Sequence, residues 1–433
     1  VLDAIKEGKR PTELKHHLER VGGVPIVLDG FGGYVEDPSA FYDATAELEA
    51  WAEPDLNPAK RKALTEALEA DGYPAGQVPP SRAGIATLKA ENVFIPDETF
   101  HRLLSLTGGP SELVVADIDQ GMNLKNMVLA RHARPGSAKN FADGSDQLID
   151  TTGHGTHTSS LLTAGADELR TVNCQLSDDF LKEGNTKLLE AIRHALDQGA
   201  KVINMSLGVS PNGIEELVQL IDEHSDVSFV FAAGNQPERI DQPQADGRCQ
   251  SNWWIAKQQL PNVAIVAAAG RDGGLWQEPD ILRADMGYVP LRGSGTTVGA
   301  PYVTHAALGE KVISASSFGG YSYSSGTSFS APIYANAVAK VRMVGSRLSP
   351  VDANRVLAMT SDPDARWTTR VDAGGTINRE RALNLAAIIQ LASHASKIDE
   401  AMDTIGVTGV ERVRLPTLAR AFLTEPTFTA ASH

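Results

Sequence analysis

The stretch that decides the reading is Gly326-Thr327-Ser328-Phe329-Ser330-Ala331-Pro332, followed by the apolar run from Ile333 to Val344. A small-residue loop ends at the heptapeptide, and the run after it predicts a helix buried nearly all round. Ser328 falls where that helix begins, among main-chain N–H groups with no partner inside the helix. Those amides and the helix dipole favour an oxyanion forming beside them, which suits a nucleophile. A serine at that place can equally be a plain helix cap. The heptapeptide alone does not choose.

Working outward from it, the chain alternates between apolar strands and amphipathic helices. Leu113-Val114-Val115-Ala116-Asp117-Ile118-Asp119 reads as a buried strand with a carboxylate at its C-terminal tip, where ligands gather in open α/β sheets. Gly153-His154-Gly155-Thr156-His157 opens a small-residue helix through Leu161 and Leu162, and Arg170 to Cys174 is a strand. Thr186 to Gln198 is helical, Lys201 to Gly208 a strand, Ile214 to Glu223 a helix, and Val227 to Asn235 and Val263 to Ala269 are strands. Strands separated by helices predict a three-layer α/β fold with a mostly parallel, doubly wound sheet. Residues 236–262 and 270–296 read as long irregular connections, which in such folds usually lie over the site.

Residues 1–108 differ and read as a helix-rich N-terminal region. Helices are expected at Ala40 to Trp51, after Asn57-Pro58 through Ala70, and at Asp97 to Leu106. A short strand is expected at Pro25 to Leu28, and Gly72 to Pro80 is a linker. His16, His17 and His101 are scattered and read as surface or packing residues. Helices resume after Ser349, and the domain boundaries are placed at 1–108, 109–394 and 395–433, the last a mainly polar helical tail.

The chain has 433 residues, 54 acidic against 39 basic, for a net charge of −15. Acids spread along the chain argue against a nucleic-acid or anionic-membrane partner. No apolar run reaches the ~20 residues that span a bilayer. The two cysteines, Cys174 and Cys249, exclude a disulfide framework, and with no visible signal peptide they lean weakly towards a cytoplasmic protein.

Three groups stand out: Asp119 at a strand tip, His154 at a helix start, and Ser328 at a loop-to-helix step. Acyl transfer needs them together, because a serine hydroxyl attacks only when an imidazole takes its proton and a buried carboxylate holds that imidazole in one tautomer. The order D-x-G at Asp119, G-H-G-T-H at His154 and G-T-S-x-S-A-P at Ser328 resembles the subtilisin-like serine proteases, the subtilases. Val202 to Gly208 and Ala232-Ala233-Gly234-Asn235 resemble that family's substrate-binding strand and oxyanion segment. The resemblance covers roughly residues 110 to 394. It implies Ser328 as nucleophile, His154 as general acid/base, Asp119 as the carboxylate and Asn235 as side-chain donor to the oxyanion with the Ser328 amide. It also implies that Ser206, Leu207 and Gly208 pair with an extended substrate, and that with Ala232, Ala233 and Gly234 they wall its side-chain pocket.

Each assignment has a rival. Asp117 lies on the same strand face as Asp119, but only Asp119 is followed by x-Gly. His157 is a packing residue one turn beyond His154, and Asp150 is a helix cap. The family's usual calcium loop after the histidine helix is missing here, since Ala164-Gly165-Ala166 leads directly to the next strand. No cofactor or metal is expected at that place, although calcium elsewhere stays open. Trp253-Trp254 and Arg248 are expected to reshape the pocket rim, and Leu176 to Asp179 to edge the cleft and favour basic substrates.

The expected activity is hydrolysis of polypeptide substrates by a serine endopeptidase. Two alternatives stand beside it: acyl transfer to an amine, giving ligation or macrocyclisation, and a non-catalytic binding protein on a protease fold. Residues 1–108 occupy the place of a prosegment that could inhibit the cleft or assist folding, or else form a permanent regulatory domain.

Overall fold

The structure, a computed structural model, describes residues 97–424 apart from 178, 243–251, 278–293, 316, 318–320 and 393. The expectations that fall before residue 97, together with Arg248 and Cys249, lie outside the described residues.

The strands are β1 (Leu113–Asp119), β2 (Lys139–Asn140), β3 (Leu169–Gln175), β4 (Val202–Met205), β5 (Ser228–Ala232) and β6 (Val263–Ala269). They continue with β7 (His305–Leu308), β8 (Val312–Ala315), β9 (Tyr321–Ser324), β10 (Asp362–Pro363) and β11 (Gly375–Thr376). The α-helices are α1 (Glu98–Thr107), α2 (Met127–Ala130), α3 (His154–Leu162), α4 (Thr186–Asp197), α5 (Ile214–Glu223) and α6 (Trp253–Ala256). After them come α7 (Thr327–Val344), α8 (Pro350–Thr360), α9 (Arg379–Ala392), α10 (Ile398–Ile405) and α11 (Glu411–Thr424).

Among the described residues nine strands form one sheet in the order β10-β11-β7-β6-β5-β4-β1-β3-β2, in which β10 and β11 pair antiparallel and the other neighbours parallel. From β1 the chain pairs outward on one side through β3, then returns to lay β4 on the other. That reversal opens a crevice at the carboxyl ends of β1 and β4. The mostly parallel, doubly wound sheet is therefore as expected. Strands β7, β8 and β9 were not anticipated; they are four-residue runs in which Ala and Ser make up half the residues, too short to establish a period.

Alternation along the strands sorts the side chains into two cores. Val115, Val202, Val230 and Val266 pack under α1, α3 and α7 to α11. Ala116, Ile118, Ile203, Phe229, Phe231 and Ile265 pack on the other face under α4, α5 and α6. Helix α7 starts six residues before the expected Ile333 and is buried on nearly every side, lying across β4 to β7.

Both chain ends of the described region share the first core. Phe100, Leu103 and Leu104 of α1, and Ile398, Met402, Leu415 and Phe422 of α10 and α11, lie in it with α7 and α9. The segment after Ala395, polar in average composition, thus hides an apolar stripe. Asp97 caps α1 by accepting the Phe100 N–H at 3.0 Å. Its other oxygen accepts from Lys340 Nζ at 2.9 Å, and Lys340 is 3% exposed in the middle of α7. Burial pushes the Lys340 ammonium down, and Asp97 opposes that.

A buried ammonium without its counter-ion is costly. Asp97→Ala should therefore lower stability by about 3–5 kcal/mol, and adding Lys340→Met should recover most of the loss. Urea unfolding of the single and double variants checks this; equal losses in both would show that the pair does not carry the effect.

Candidate active site

The two-residue period of β1 sets Val115, Asp117 and Asp119 on the face covered by α3. Asp119 is 2% exposed, and His154, the first residue of α3, meets it there. His154 Nδ1–H donates to Asp119 Oδ1 at 2.8 Å and lies 3.0 Å from Oδ2. The Gln120 N–H donates to Oδ1 at 2.7 Å. This approach depends on Gly155, because a Cβ there would overlap the Gly121 carbonyl and crowd Asp119. Asp150 takes the Gly153 N–H at 2.7 Å and the Thr156 N–H at 3.1 Å, so it caps the helix that carries His154.

Burial disfavours the charged imidazole of His154, but the Asp119 carboxylate outweighs it through charge and hydrogen bond, holding the ring's pKa above its ordinary value. A quarter of the His154 side chain stays open, on the edge away from Asp119. His157, one turn on, is buried against Phe329 with ring centroids 4.6 Å apart, and burial drives its pKa down to about 3. It is an uncharged packing residue.

Ser328 is the second residue of α7, and the next residue, Phe329, packs on the His154 ring at 5.6 Å. The structure does not join Ser328 and His154 by a hydrogen bond. Instead Ser328 Oγ is turned towards the Ser206 carbonyl at 3.5 Å. Pro332 stands four residues after Ser328 and has no N–H to give the Ser328 carbonyl. That carbonyl accepts instead from Ser206 Oγ at 2.7 Å, which ties the helix start to the end of β4. Asn204 Nδ2 donates to the same Ser206 hydroxyl at 3.1 Å and to Asp117 Oδ1 at 2.8 Å.

Asn235 Oδ1 accepts from the Thr327 N–H and from Thr327 Oγ1, both at 2.9 Å. A main-chain N–H can only donate, so the atom facing it is the oxygen and the amide orientation is fixed. Asn235 Nδ2 is left as a free donor on an exposed residue next to Ser328. The left-handed Gly326 (φ 145) leaves room for this amide, which a Cβ would meet at 3.3 Å. Thr327 also accepts the Gly234 N–H at 3.1 Å. It was not singled out in the sequence, although its place beside Ser328 was a usable signal.

Of the proposed pocket residues, Ser206 is buried, Leu207, Gly208 and Gly234 are half-buried, and Ala232 and Ala233 point their methyls into the two cores. These two segments are joined by a residue that sequence reading missed. Asn252, 3% exposed, donates from Nδ2 to the Leu207 and Ala232 carbonyls and accepts the Val209 N–H at 3.1 Å. Beside it, Trp253 meets Tyr302 edge-on at 4.9 Å. Asp179 pairs with Lys182 at 2.7 Å, and Asp178 lies outside the described residues. Among the described residues no cluster of His, Cys, Asp and Glu is arranged to hold a metal, and no helix is long and apolar enough to cross a membrane.

The Subtilase family model matches residues 111–382, from the strand carrying Asp119 into α9. The chain belongs to the subtilase family. A cell wall-associated protease of Bacillus subtilis (strain 168) is 23% identical to it over 262 residues, 58% of this chain and 26% of that protein. The chain thus spans about a quarter of the length of the curated relative it matches. A chain from a structure of the subtilase cytotoxin SubAB superposes with a TM-score of 0.54 at 20% identity, over 71% of this subtilase and 97% of that chain. The A-subunit of the AB5 toxin from E. coli gives 0.52 at 21% identity, over 69% and 98%. At such identities the likeness is one of fold.

Two outcomes are expected. The His154 imidazole, titrated by NMR, should show a midpoint above about 6.5, the ordinary imidazole value. A midpoint at or below that value would contradict the Asp119 effect. Asn252→Ala strands two buried main-chain groups, the Ala232 carbonyl and the Val209 N–H, and one half-buried carbonyl, Leu207, and should cost about 2–4 kcal/mol of stability. Urea unfolding measures the loss.

Proposed function

We propose that this subtilase is a serine endopeptidase that cleaves extended polypeptides through Asp119, His154 and Ser328 and an acyl-enzyme. The observation that carries the reading is the Asp119–His154 pair, 2.8 Å long, with Phe329, the residue after Ser328, packed on the same imidazole ring. The reading requires Ser328 Oγ, 3.5 Å from the Ser206 carbonyl, to turn to His154 Nε2 when a substrate arrives.

In the reaction Ser328 Oγ bonds to the scissile carbonyl carbon and gives its proton to His154 Nε2. The resulting oxyanion is met by the Ser328 N–H, which lies in the first helical turn and has no intrahelical acceptor. Asn235 Nδ2 supplies a second donor, already oriented by Thr327. His154 then protonates the departing amine, and a water deprotonated by the same ring opens the ester. Asp119 stays ionised throughout and stabilises the imidazolium. Ser206 to Gly208 offer main-chain groups for pairing with an extended substrate. The segment before Asp97 is proposed as an inhibitor of this cleft.

A fluorophosphonate probe followed by peptide mass spectrometry tests the assignment. Labelling at Ser328, absent in Ser328→Ala, is expected, before or after limited proteolysis of the segment preceding Asp97. Failure to label under both conditions would overturn it. With an active enzyme, product mass then separates hydrolysis from acyl transfer: two fragments that together have gained one water, or a new amide product and a released amine fragment whose masses sum to those of the reactants with no water gained.

A further inference from the structure

Asp117 is a second carboxyl on the catalytic face of β1, fully buried and given no role by the triad. Its partners are few. Oδ1 accepts Asn204 Nδ2–H at 2.8 Å, and Oδ2 lies 2.9 Å from Thr158 Oγ1. Thr158 Oγ1 is also 3.2 Å from Asp119 Oδ2 and 3.1 Å from the Gly155 carbonyl. One hydroxyl therefore faces three oxygens and has a single proton to give.

If Asp117 were ionised, all three oxygens would be acceptors and two would go unserved by this hydroxyl. Two carboxylates would also share one strand face. The other groups around Asp117 supply no compensating charge beyond His154. On β1 it faces Asp119; on α3, His154 and Thr158; on β4, Asn204. On β3 it is level with Asn173, which gives its amide to Ser159, while the Cys174 thiol lies on the opposite face of the sheet. A protonated Asp117 resolves the count: its O–H donates to Thr158 Oγ1, and Thr158 donates onward to Asp119 Oδ2. Burial first, and the Asp119 charge second, push Asp117 up to about 8, in the same direction.

We propose that Asp117 is a neutral carboxylic acid at neutral pH, and that its proton, through Thr158, supplies a hydrogen bond that fixes the Asp119 carboxylate for His154. This rests on the protease reading for the role of Asp119 and His154. Asp117 is a positioning residue, since it touches neither substrate nor reacting atoms. Through Asn204 and Ser206 it also connects to the carbonyl of the nucleophile, so one buried acid links both halves of the site.

The test compares wild type with Asp117→Asn, which keeps a donor towards Thr158 and carries no charge, and Asp117→Leu, which keeps the volume and loses the polar atoms. The His154 ring is titrated by NMR, which needs no turnover, and fluorophosphonate labelling of Ser328 is timed. The His154 midpoint should coincide in wild type and D117N, because no charge is removed. Labelling should slow about tenfold in D117L, the order of one hydrogen bond, and recover in D117N. Thr158→Val should slow it similarly, which covers the case in which D117L does not fold. A His154 midpoint lower by a unit or more in D117N would show Asp117 ionised and overturn the proposal. So would wild-type labelling in both D117L and T158V. Absence of Ser328 labelling in the wild type would sink the protease reading alone, and the titration would still decide the charge on Asp117.

Discussion

The carbonyl of Ser328 is the point on which the site hangs. Helix α7 would ordinarily satisfy it with the N–H four residues on, but that residue is Pro332, which has none. An unpaired buried carbonyl is expensive, and Ser206 Oγ meets it at 2.7 Å. The bond sets the start of α7 against the end of β4 and so fixes where Ser328 stands relative to the sheet. From Ser206 the connection runs to Asn204, then Asp117, Thr158, Asp119 and His154, each pair within hydrogen-bond distance. The Ser328 peptide and the His154 imidazole are thus two ends of one polar chain. Such a chain is stabilising only while every member is satisfied, which is why the proton on Asp117 matters beyond its own position.

The polar chain can be buried there because the surrounding architecture is apolar and ordered by simple periods. Strand β1 alternates Val115, Asp117 and Asp119 on one face with Ala116 and Ile118 on the other. The first set meets α3 and α7, and the second meets the helices beneath the sheet. Parallel strands place Asp119 and Ser206 at the same end, and the reversal of strand order at β1 keeps a crossover helix from covering them. At the starts of α3 and α7 the first-turn N–H groups are largely served by nearby groups, Thr156 by Asp150, Thr327 by Asn235 and Phe329 by Gly326.

Most of this frame was legible because it is local. The runs at 113–119 and 263–269 and the helix at 214–223 match their strands and helix residue for residue, since each has a clear period and clear ends. The three chemical groups were legible as motifs. What escaped depends on distant partners. Asn252 reads as an ordinary loop amide, and its acceptors lie 45 and 20 residues away. Asp117 looked like a rejected copy of Asp119, because a sequence cannot show that Asn204 and Thr158 surround it. The apolar stripe of α10 and α11 was diluted by exposed residues such as Val410, Arg412 and Val413, and only the partner surface on α9 reveals it. Strands β7 to β9 were too short to carry a pattern.

The Lys340–Asp97 pair constrains how the N-terminal region can act. Lys340 is twelve positions after Ser328 on α7, about 18 Å along the axis at 1.5 Å per residue. The chain therefore enters the described fold at Asp97 well away from the nucleophile. Helix α1 is bound into the first core by Phe100 and Leu103, and its capping carboxylate neutralises a buried ammonium. Release of α1 would expose that core and strand Lys340. Helix α1 shares the first core with α7 and α9, so a cut after Asp97 would act on a segment packed into that core. An extended chain covers about 3.5 Å per residue, so a handful of residues upstream of Asp97 suffices to span the distance to the cleft. Inhibition by the upstream segment and retention of α1 are compatible on geometry alone.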